Sequence, residues 1–418
     1  MRATSNRGMI LLAHPFGNTN VRAALAALQE AGLLAKFITA LGWSAQSPLL
    51  SLAAKFGTTL GRRSYDLPAE KIEAHGAREI IRHIAAAFGA RPLIEHERGW
   101  ASIDQVWRSL DEKAARYLCA QRRRGSITAV YAYEDCALQL FEAANDLGVR
   151  RVYDLPIAYW ETAQRLLREE AARYPDWEPT LGGTRDSPEK LARKMREMEL
   201  AELIVCPSNF VLESLPETAR QTKACIMVPF GSPPAQPHSK EKPGGRSLRV
   251  LFAGALTQRK GLADLFAAMK MISSKEVELV VMGSLLRPLA WYRDRCAAFT
   301  YESPRSHADV LNLMRSCDVF LLPSIVEGRA LVQQEAMACG LPLIATRNAG
   351  GDDLIVEGTT GFLVPIRSPE AVAEKIDWCA RHRESISGMG IAAQERAAEL
   401  TWRAYGEKVL AAIQTLIA

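Results

Sequence analysis

At 418 residues the chain exceeds the roughly 250 to 300 residues at which one hydrophobic core stops growing, so two domains are the expectation. A net charge of +5, with 48% apolar and 24% charged residues, fits a globular chain and is too small to argue for nucleic acid as a partner. No apolar run reaches the roughly 18 residues of a membrane helix, the start lacks the apolar core of a signal peptide, and the 8 cysteines include no C-x-x-C pair. A cytoplasmic, reducing setting with cysteines acting as small buried residues follows, rather than a metal site or a disulfide frame.

In chain order, residues 8–14 (GMILLAH) read as a buried strand, PFGNTN as a turn, residues 21–29 as a helix ended near Gly32 and residues 37–41 as a second strand. This opening predicts a Rossmann-like domain. Its first turn is not G-x-G-x-x-G, yet Gly17 and Asn18 stand where a loop of this domain approaches a cleft. His14, alone at the strand end, reads more readily as a packed histidine than as a catalytic group. From residue 42 to 99 the pattern loosens: Trp43, Leu49, Leu50, Leu52 and Phe56 mix with Lys55, Arg62 and Arg63. Helices capping the sheet are the simpler reading of that stretch, with a lipid-docking insert as the alternative. The cluster Arg122, Arg123 and Arg124 reads as a solvated helix end before a strand at 127–131.

Residues 151–160 (RVYDLPIAYW) run as a strand into Asp154 and on to Tyr159, both carried as cleft candidates. A polar helical stretch at 164–199, broken by PDWEPTLGGTRDSP, leads to strand, Pro-Ser turn and helix in AELIVCPSNFVLESL, and ACIMVPFG closes the domain at residue 231. Residues 232–247 (SPPAQPHSKEKPGGRS) read as a linker. A second Rossmann-like domain is expected over 248–400, and an amphipathic helix over 401–418.

The second domain opens with a strand at 248–253, a turn begun by Gly254, and Arg259-Lys260-Gly261 leading into a helix; a later strand ends in Gly283. The run from 318 to 365 organises the rest. A short apolar strand is stopped by Pro323 and Ser324, then Glu327 and Gly328 precede a helix at 330–339 that Gly340 and Pro342 end, and another strand follows. In such a βαβ unit the sheet's carboxyl edge meets the positive end of the helix, the place where open α/β folds bind phosphorylated ligands. Backbone N–H groups from Gly328 to Ala330 suit phosphate, while Glu327 and Glu335, spaced E-x7-E, suit sugar hydroxyls. No D-x-D accompanies a strand end, so no metal is expected.

The whole run, with PLIATRNAGGDDLIVEGTTGFLVP after it, resembles the retaining glycosyltransferases of family 4, strongly over 248–415 and more weakly over 1–231. The resemblance implies the GT-B fold, two facing Rossmann-like domains with a cleft between them, with the final helix crossing back to the first domain. It implies transfer of a sugar from a nucleoside-diphosphate sugar to a hydroxyl of a glycan or lipid-linked acceptor, with retention and without a metal or other cofactor. It suggests surface polysaccharide or glycolipid synthesis and peripheral membrane contact through the first domain. By the same resemblance Glu327, Lys260 and Arg259 form the catalytic group, and Gly254, Gly283, Gly328, Arg329, Ala330, Leu331 and Glu335 line the donor site. Three departures stand out. Ala255 replaces the usual arginine of G-R-L-x-x-x-K-G, with Arg259 beside Lys260 as its substitute; Arg329 replaces an aromatic and Ala330 a glycine, so Arg329 is expected to reach phosphate or an acidic sugar. A sugar-nucleotide 2-epimerase of the same fold, or a non-catalytic nucleotide-sugar-binding subunit, are the alternatives.

Overall fold

A computed structural model describes residues 8–47, 63–235, 247–272 and 276–418. The expected insert residues Leu49, Leu50, Leu52, Lys55, Phe56 and Arg62, and positions 236–246 of the linker, lie outside the described residues.

Strands β1 (Met9–Ala13), β2 (Leu34–Thr39), β3 (Trp43–Ser44), β4 (Ser64–Tyr65), β5 (Ile72–Ala74), β6 (Ile127–Tyr133), β7 (Arg150–Asp154), β8 (Leu203–Cys206) and β9 (Ala224–Met227) come first along the chain. Seven of them form one parallel sheet in the order β5-β2-β1-β6-β7-β8-β9, and β3 pairs with β4. Strands β10 (Leu248–Ala253), β11 (Val277–Met282), β12 (Thr300–Glu302), β13 (Val319–Leu322), β14 (Leu343–Thr346) and β15 (Gly361–Val364) form a second parallel sheet ordered β12-β11-β10-β13-β14-β15. Near-continuous apolar runs such as ILL, VLF and FLL are what a strand covered on both faces requires, and their side chains are buried. In each sheet the winding direction reverses once, between β1 and β6 and between β10 and β13. A crevice opens at such a reversal, at the carboxyl ends of the strands.

The helices used below are α1 (Thr19–Glu30), α2 (Ala77–Ala87), α3 (Trp160–Arg173), α4 (Asn209–Ser214), α5 (Leu262–Met271), α6 (His307–Arg315), α7 (Leu331–Ala338) and α8 (Trp402–Ile417). Helix α1 begins two residues before its expected start and β2 ends two before its expected end. Helix α7 is one residue shorter at each end than expected, because Ala330 has an extended ψ of 102° and serves as the N-cap. Helix α8 lies on α1: a Cβ at Gly406 would sit 2.5 Å from the Ala23 carbonyl oxygen, and Tyr405, Val409 and Ile413 join Val21, Leu25 and Leu28 in one apolar cluster. Trp177, which follows α3 in the first half of the chain, packs into the second sheet's core against Phe266 and Tyr292. All eight cysteines are free; six are buried.

Candidate functional site

The second sheet's reversal point is assembled from two loops. After β10 the chain passes Gly254 and makes a short 3-10 turn, Gln258–Lys260, capped by the Thr257 hydroxyl accepting from the Arg259 N–H at 3.1 Å. Gly261 ends that turn at φ 74°; a Cβ there would lie 2.0 Å from the Pro323 carbonyl oxygen, so only glycine lets this loop lie against the end of β13. After β13, the N–H groups of Ile325 and Val326 donate to the Arg259 carbonyl at 2.9 and 3.2 Å, which sets the two loops side by side. Their side chains then meet: Lys260 Nζ lies 2.5 Å and Arg259 Nη1 3.1 Å from the Glu327 carboxylate. Burial by itself pushes the Glu327 carboxyl up, but the charges of Arg259 and Lys260 outweigh it and hold the group below the usual carboxylate range. Gly254 and Gly283 approach each other at the strand ends beside this cluster, where a Cβ on Gly283 would meet the Gly254 carbonyl oxygen at 1.8 Å. The expected grouping of Glu327, Lys260, Arg259, Gly254 and Gly283 is therefore one neighbourhood. Ala255 leaves no cation on the β10 side of the turn, and Arg259 approaches from the other side.

Glu335 stands on α7, where its carboxylate lies 3.0 Å from His307 Nε2 at the start of α6. His307 escaped sequence reasoning because nothing local links it to Glu335, 28 positions away. The expected phosphate-binding N–H groups shift along the chain. Ala330 N–H points to the Ala349 carbonyl at 3.4 Å, so the first turn's N–H groups without an intrahelical acceptor begin at Leu331.

Arg329 corrects a sequence expectation. Its side chain is wholly buried, with Nε donating to the Pro207 carbonyl at 2.7 Å and Nη2 pairing with Asp353. The guanidinium is committed to a joint between the two halves and does not face a phosphate. Gly328 belongs to the same joint, its carbonyl accepting from the Ser208 hydroxyl at 2.7 Å.

The first sheet's reversal point carries His14 and Gly17. His14 Nδ1 accepts from the N–H groups of Phe16 (3.1 Å) and Gly17 (2.9 Å), fixing the turn. Burial, with Arg63 nearby, lowers its pKa to about 3, so the imidazole is neutral. Asn18 is exposed at the head of α1, as a cleft residue would be. Asp154 and Tyr159 are not cleft residues. Asp154 is 1% exposed, accepts from Asn20 Nδ2 at 3.2 Å and lies against Tyr131, and burial raises its pKa to about 7. Tyr159 is 2% exposed in the first domain's core, with its N–H donating to the Ser214 hydroxyl at 2.8 Å. Their sequence context, a strand end followed by proline, marked the edge correctly but could not say which way the side chains turn.

Sequence reasoning also missed a charged knot behind this edge. Glu134 and Asp135 directly follow β6, and Lys194 Nζ lies 3.1 and 3.2 Å from them, with Arg193 2.9 Å from Asp135. The YED ending of an apolar strand was the available signal.

Residues 235–396 match the family model of glycosyl transferases group 1. Among curated relatives, the chain is 27% identical to the D-inositol 3-phosphate glycosyltransferase of Corynebacterium jeikeium over 256 residues, 53% of this chain and 60% of that one. It is 32% identical to the capsular polysaccharide biosynthesis glycosyltransferase CapM of Staphylococcus aureus over 133 residues, 30% of this chain and 35% of that one. It is 29% identical over 154 residues to an uncharacterized glycosyltransferase of Methanocaldococcus jannaschii, spanning 44% of that relative, so the matches cover about half or less of the first relatives' own length. Among solved structures, the sucrose-phosphate synthase of Thermosynechococcus elongatus superposes with a TM-score of 0.64 at 16% identity, covering 98% of this chain and 99% of that one. Anabaena HepE in complex with UDP gives 0.62 at 15% identity, covering 98% and 100%.

Proposed function

We propose, for a chain whose residues 235–396 belong to glycosyl transferases group 1 and whose fold is GT-B, a glycosyltransferase that moves a sugar from a nucleoside-diphosphate sugar to a hydroxyl of a glycan or lipid-linked acceptor. The observation that carries the proposal is the Glu327, Lys260 and Arg259 cluster at the second sheet's reversal point. Two cations against one carboxylate leave a local surplus of one positive charge beside the place where a diphosphate would lie. The neighbouring structures of Anabaena HepE are complexes with UDP and UDP-glucose, which supports a nucleotide sugar as the ligand class.

In this reading the bond from the anomeric carbon to the diphosphate oxygen breaks with its electron pair going to that oxygen. Lys260, Arg259 and the α7 N–H groups from Leu331 onward stabilise the charge that develops. The acceptor oxygen bonds to the same face of the carbon and its proton passes to the departing phosphate oxygen, so configuration is retained and no enzyme nucleophile is needed. Glu327 accepts hydrogen bonds from the donor sugar and Glu335 from the ribose, displacing His307. We propose no metal, the role of a divalent ion falling to the two side-chain cations.

Peripheral membrane contact is part of the proposal. No helix among the described residues is long and apolar enough to cross a membrane. Helix α2, however, is packed inside out: Glu79 is fully buried against Arg63 and Arg82, while Ile80, Ile84 and the following Phe88 are 47%, 51% and 84% exposed. On the far side of the same helix Arg78 stacks over the half-exposed Trp100 at 4.5 Å, a pairing of aromatic and cation suited to an anionic lipid surface.

A thermal-shift panel of nucleoside diphosphates and their sugars, on the parent and Glu335→Ala, tests the reading. A ligand at about 100 times its dissociation constant stabilises by roughly 2.7 kcal/mol, and Glu335→Ala is expected to shrink that shift. Product analysis then separates the alternatives. A transferred sugar with retained anomer supports the transferase, interconversion of the free nucleotide sugar an epimerase, and binding without turnover a non-catalytic subunit.

A further inference from the structure

Arg329 stands two positions after Glu327, yet everything it touches is structural. Its Nε donates to the Pro207 carbonyl, which follows β8 in the first domain, and its Nη2 pairs with Asp353, which follows β14 in the second. One residue earlier, Gly328 is clamped by the same first-domain edge. The Ser208 hydroxyl donates to the Gly328 carbonyl at 2.7 Å, and a Cβ on Gly328 would lie 1.7 Å from the Pro156 carbonyl oxygen. Asn209 at the head of α4 adds a bond to Asp352 at 3.2 Å. Loops following β7, β8, β13 and β14 therefore meet at one joint, and the backbone immediately after Glu327 is the piece held in the middle.

We propose that Arg329 is a positioning residue that fastens the Glu327 loop to the first domain, so that the donor-sugar side of the pocket is complete only when the two domains are closed. The inference rests on the transferase reading for its functional consequence, and on the joint alone for its geometry. A buried guanidinium that loses the Pro207 carbonyl as the domains part must recover water or another acceptor, so opening and loop movement are coupled. The fastening is also incomplete. Arg329 Nη1 and Asp353 Oδ1 are buried with no hydrogen-bond partner among the described residues, which lowers the cost of releasing the joint. This accounts for the arginine at a position where contact with phosphate was expected. The cation serves the hinge, and the phosphate is left to Lys260 and Arg259.

The full chain is compared as parent, R329A, R329K and D353N in two readouts. One is affinity for UDP, GDP and ADP together with kcat and KM for hydrolysis of UDP-glucose, GDP-mannose and ADP-glucose. The other is the radius of gyration by small-angle X-ray scattering. The expected result for R329A and D353N is a nucleoside-diphosphate affinity within about twofold of the parent, because Lys260 and Glu335 are untouched, with kcat lower by about tenfold or more and an expanded radius. R329K, which can still reach one of the two partners, is expected to fall between. A parallel loss of nucleotide affinity would show that Arg329 touches the diphosphate and would overturn the proposal, as would a kcat and radius that do not change. If the parent binds none of the three nucleotides, the transferase reading fails by itself. The fastening is then decided by scattering alone, expansion of R329A supporting it and an unchanged radius overturning it. Should R329A not fold, S208A, which removes the hydroxyl that donates to Gly328 and accepts from the Val211 N–H at the head of α4, carries the same comparison.

Discussion

At the carboxyl edge of the second sheet three charged side chains meet, Glu327 with Lys260 and Arg259 at 2.5 and 3.1 Å, whereas at the matching edge of the first sheet His14 and Asp154 are buried toward neutrality. There His14 is held near a pKa of 3 and Asp154 near 7, burial being the main cause for both. The two edges share one topology, a reversal of winding in a parallel sheet, and differ in what surrounds it. The second presents glycines and cations to a cleft, so charge is kept accessible for an anionic ligand. The first packs its strand ends under the joint formed by Pro156, Pro207 and Ser208 and against α8, so the charge of His14 and of Asp154 is suppressed.

Removing the charge from the second edge is the strongest way to break this contrast. Lys260→Ala is expected to lower kcat by about a hundredfold to a thousandfold, the range seen when one preorganised stabiliser of developing charge is lost. The variant should keep its melting temperature, since Glu327 retains Arg259 at 3.1 Å. Steady-state rates with the donor found by thermal shift check both statements. A loss of stability comparable to the loss of rate would mean the cluster is a structural ion pair.

Neutrality at the first edge is testable through pH. For Asp154 the folded pKa, about 7, lies above the ordinary aspartate value of 3.8, so the folded state binds the extra proton between those values. Stability from this group is complete below pH 3.8, falls as pH rises, and is lost above about 7; three units correspond to roughly 4 kcal/mol as a ceiling. His14 works in the opposite sense. Its folded pKa of about 3 lies below 6.5, so the unfolded state binds more protons between them and stability rises with pH over that window. Between pH 3.8 and 6.5 the Asp154 decline opposes the His14 rise, so Asp154→Asn is expected to steepen the gain in stability with pH over that window, as read by denaturant midpoints from pH 4 to 9. An unchanged slope would assign the decline to another group, with Glu197, raised by burial to about 8, the next to substitute.

What the sequence made legible follows from the range of the interactions involved. Buried parallel strands announce themselves as apolar runs, and Glu327, Lys260 and their glycines are separated from their strands by only a few residues, so local spacing places them. The side chains that went astray are those whose surroundings come from far along the chain. Arg329 finds its carbonyl 122 positions away, and Asp154 its amide partner 134 positions away. Trp177 shows the same limit at the scale of a segment: its own stretch reads as a Pro/Gly-rich break in a polar helical run, and only the path of the chain across the cleft carries it into the other domain's core. Local pattern reports what a residue can do, and the long crossing decides what it faces.

The contrast between the edges extends to the outer surface, where α2 supplies the smallest and most specific test. Ordinary amphipathic helices turn their apolar stripe inward, and α2 does the reverse because Glu79 in its first turn is tied to Arg63 and Arg82. Ile84 and Phe88 therefore lie on a face that no described element covers to more than about half, and Phe88→Glu removes apolar area from it without touching either sheet edge. Co-sedimentation with vesicles of phosphatidylglycerol is expected to fall severalfold for Phe88→Glu, with phosphatidylcholine vesicles binding little in either form, since the Arg78 and Trp100 pair favours anionic headgroups. Two other occupants of the face would announce themselves differently. A second copy of the chain gives a parent dimer in sedimentation velocity that the substitution dissolves, and a covering segment of the same chain gives a drop in melting temperature with no lipid dependence. Only the first pattern would support membrane contact through α2.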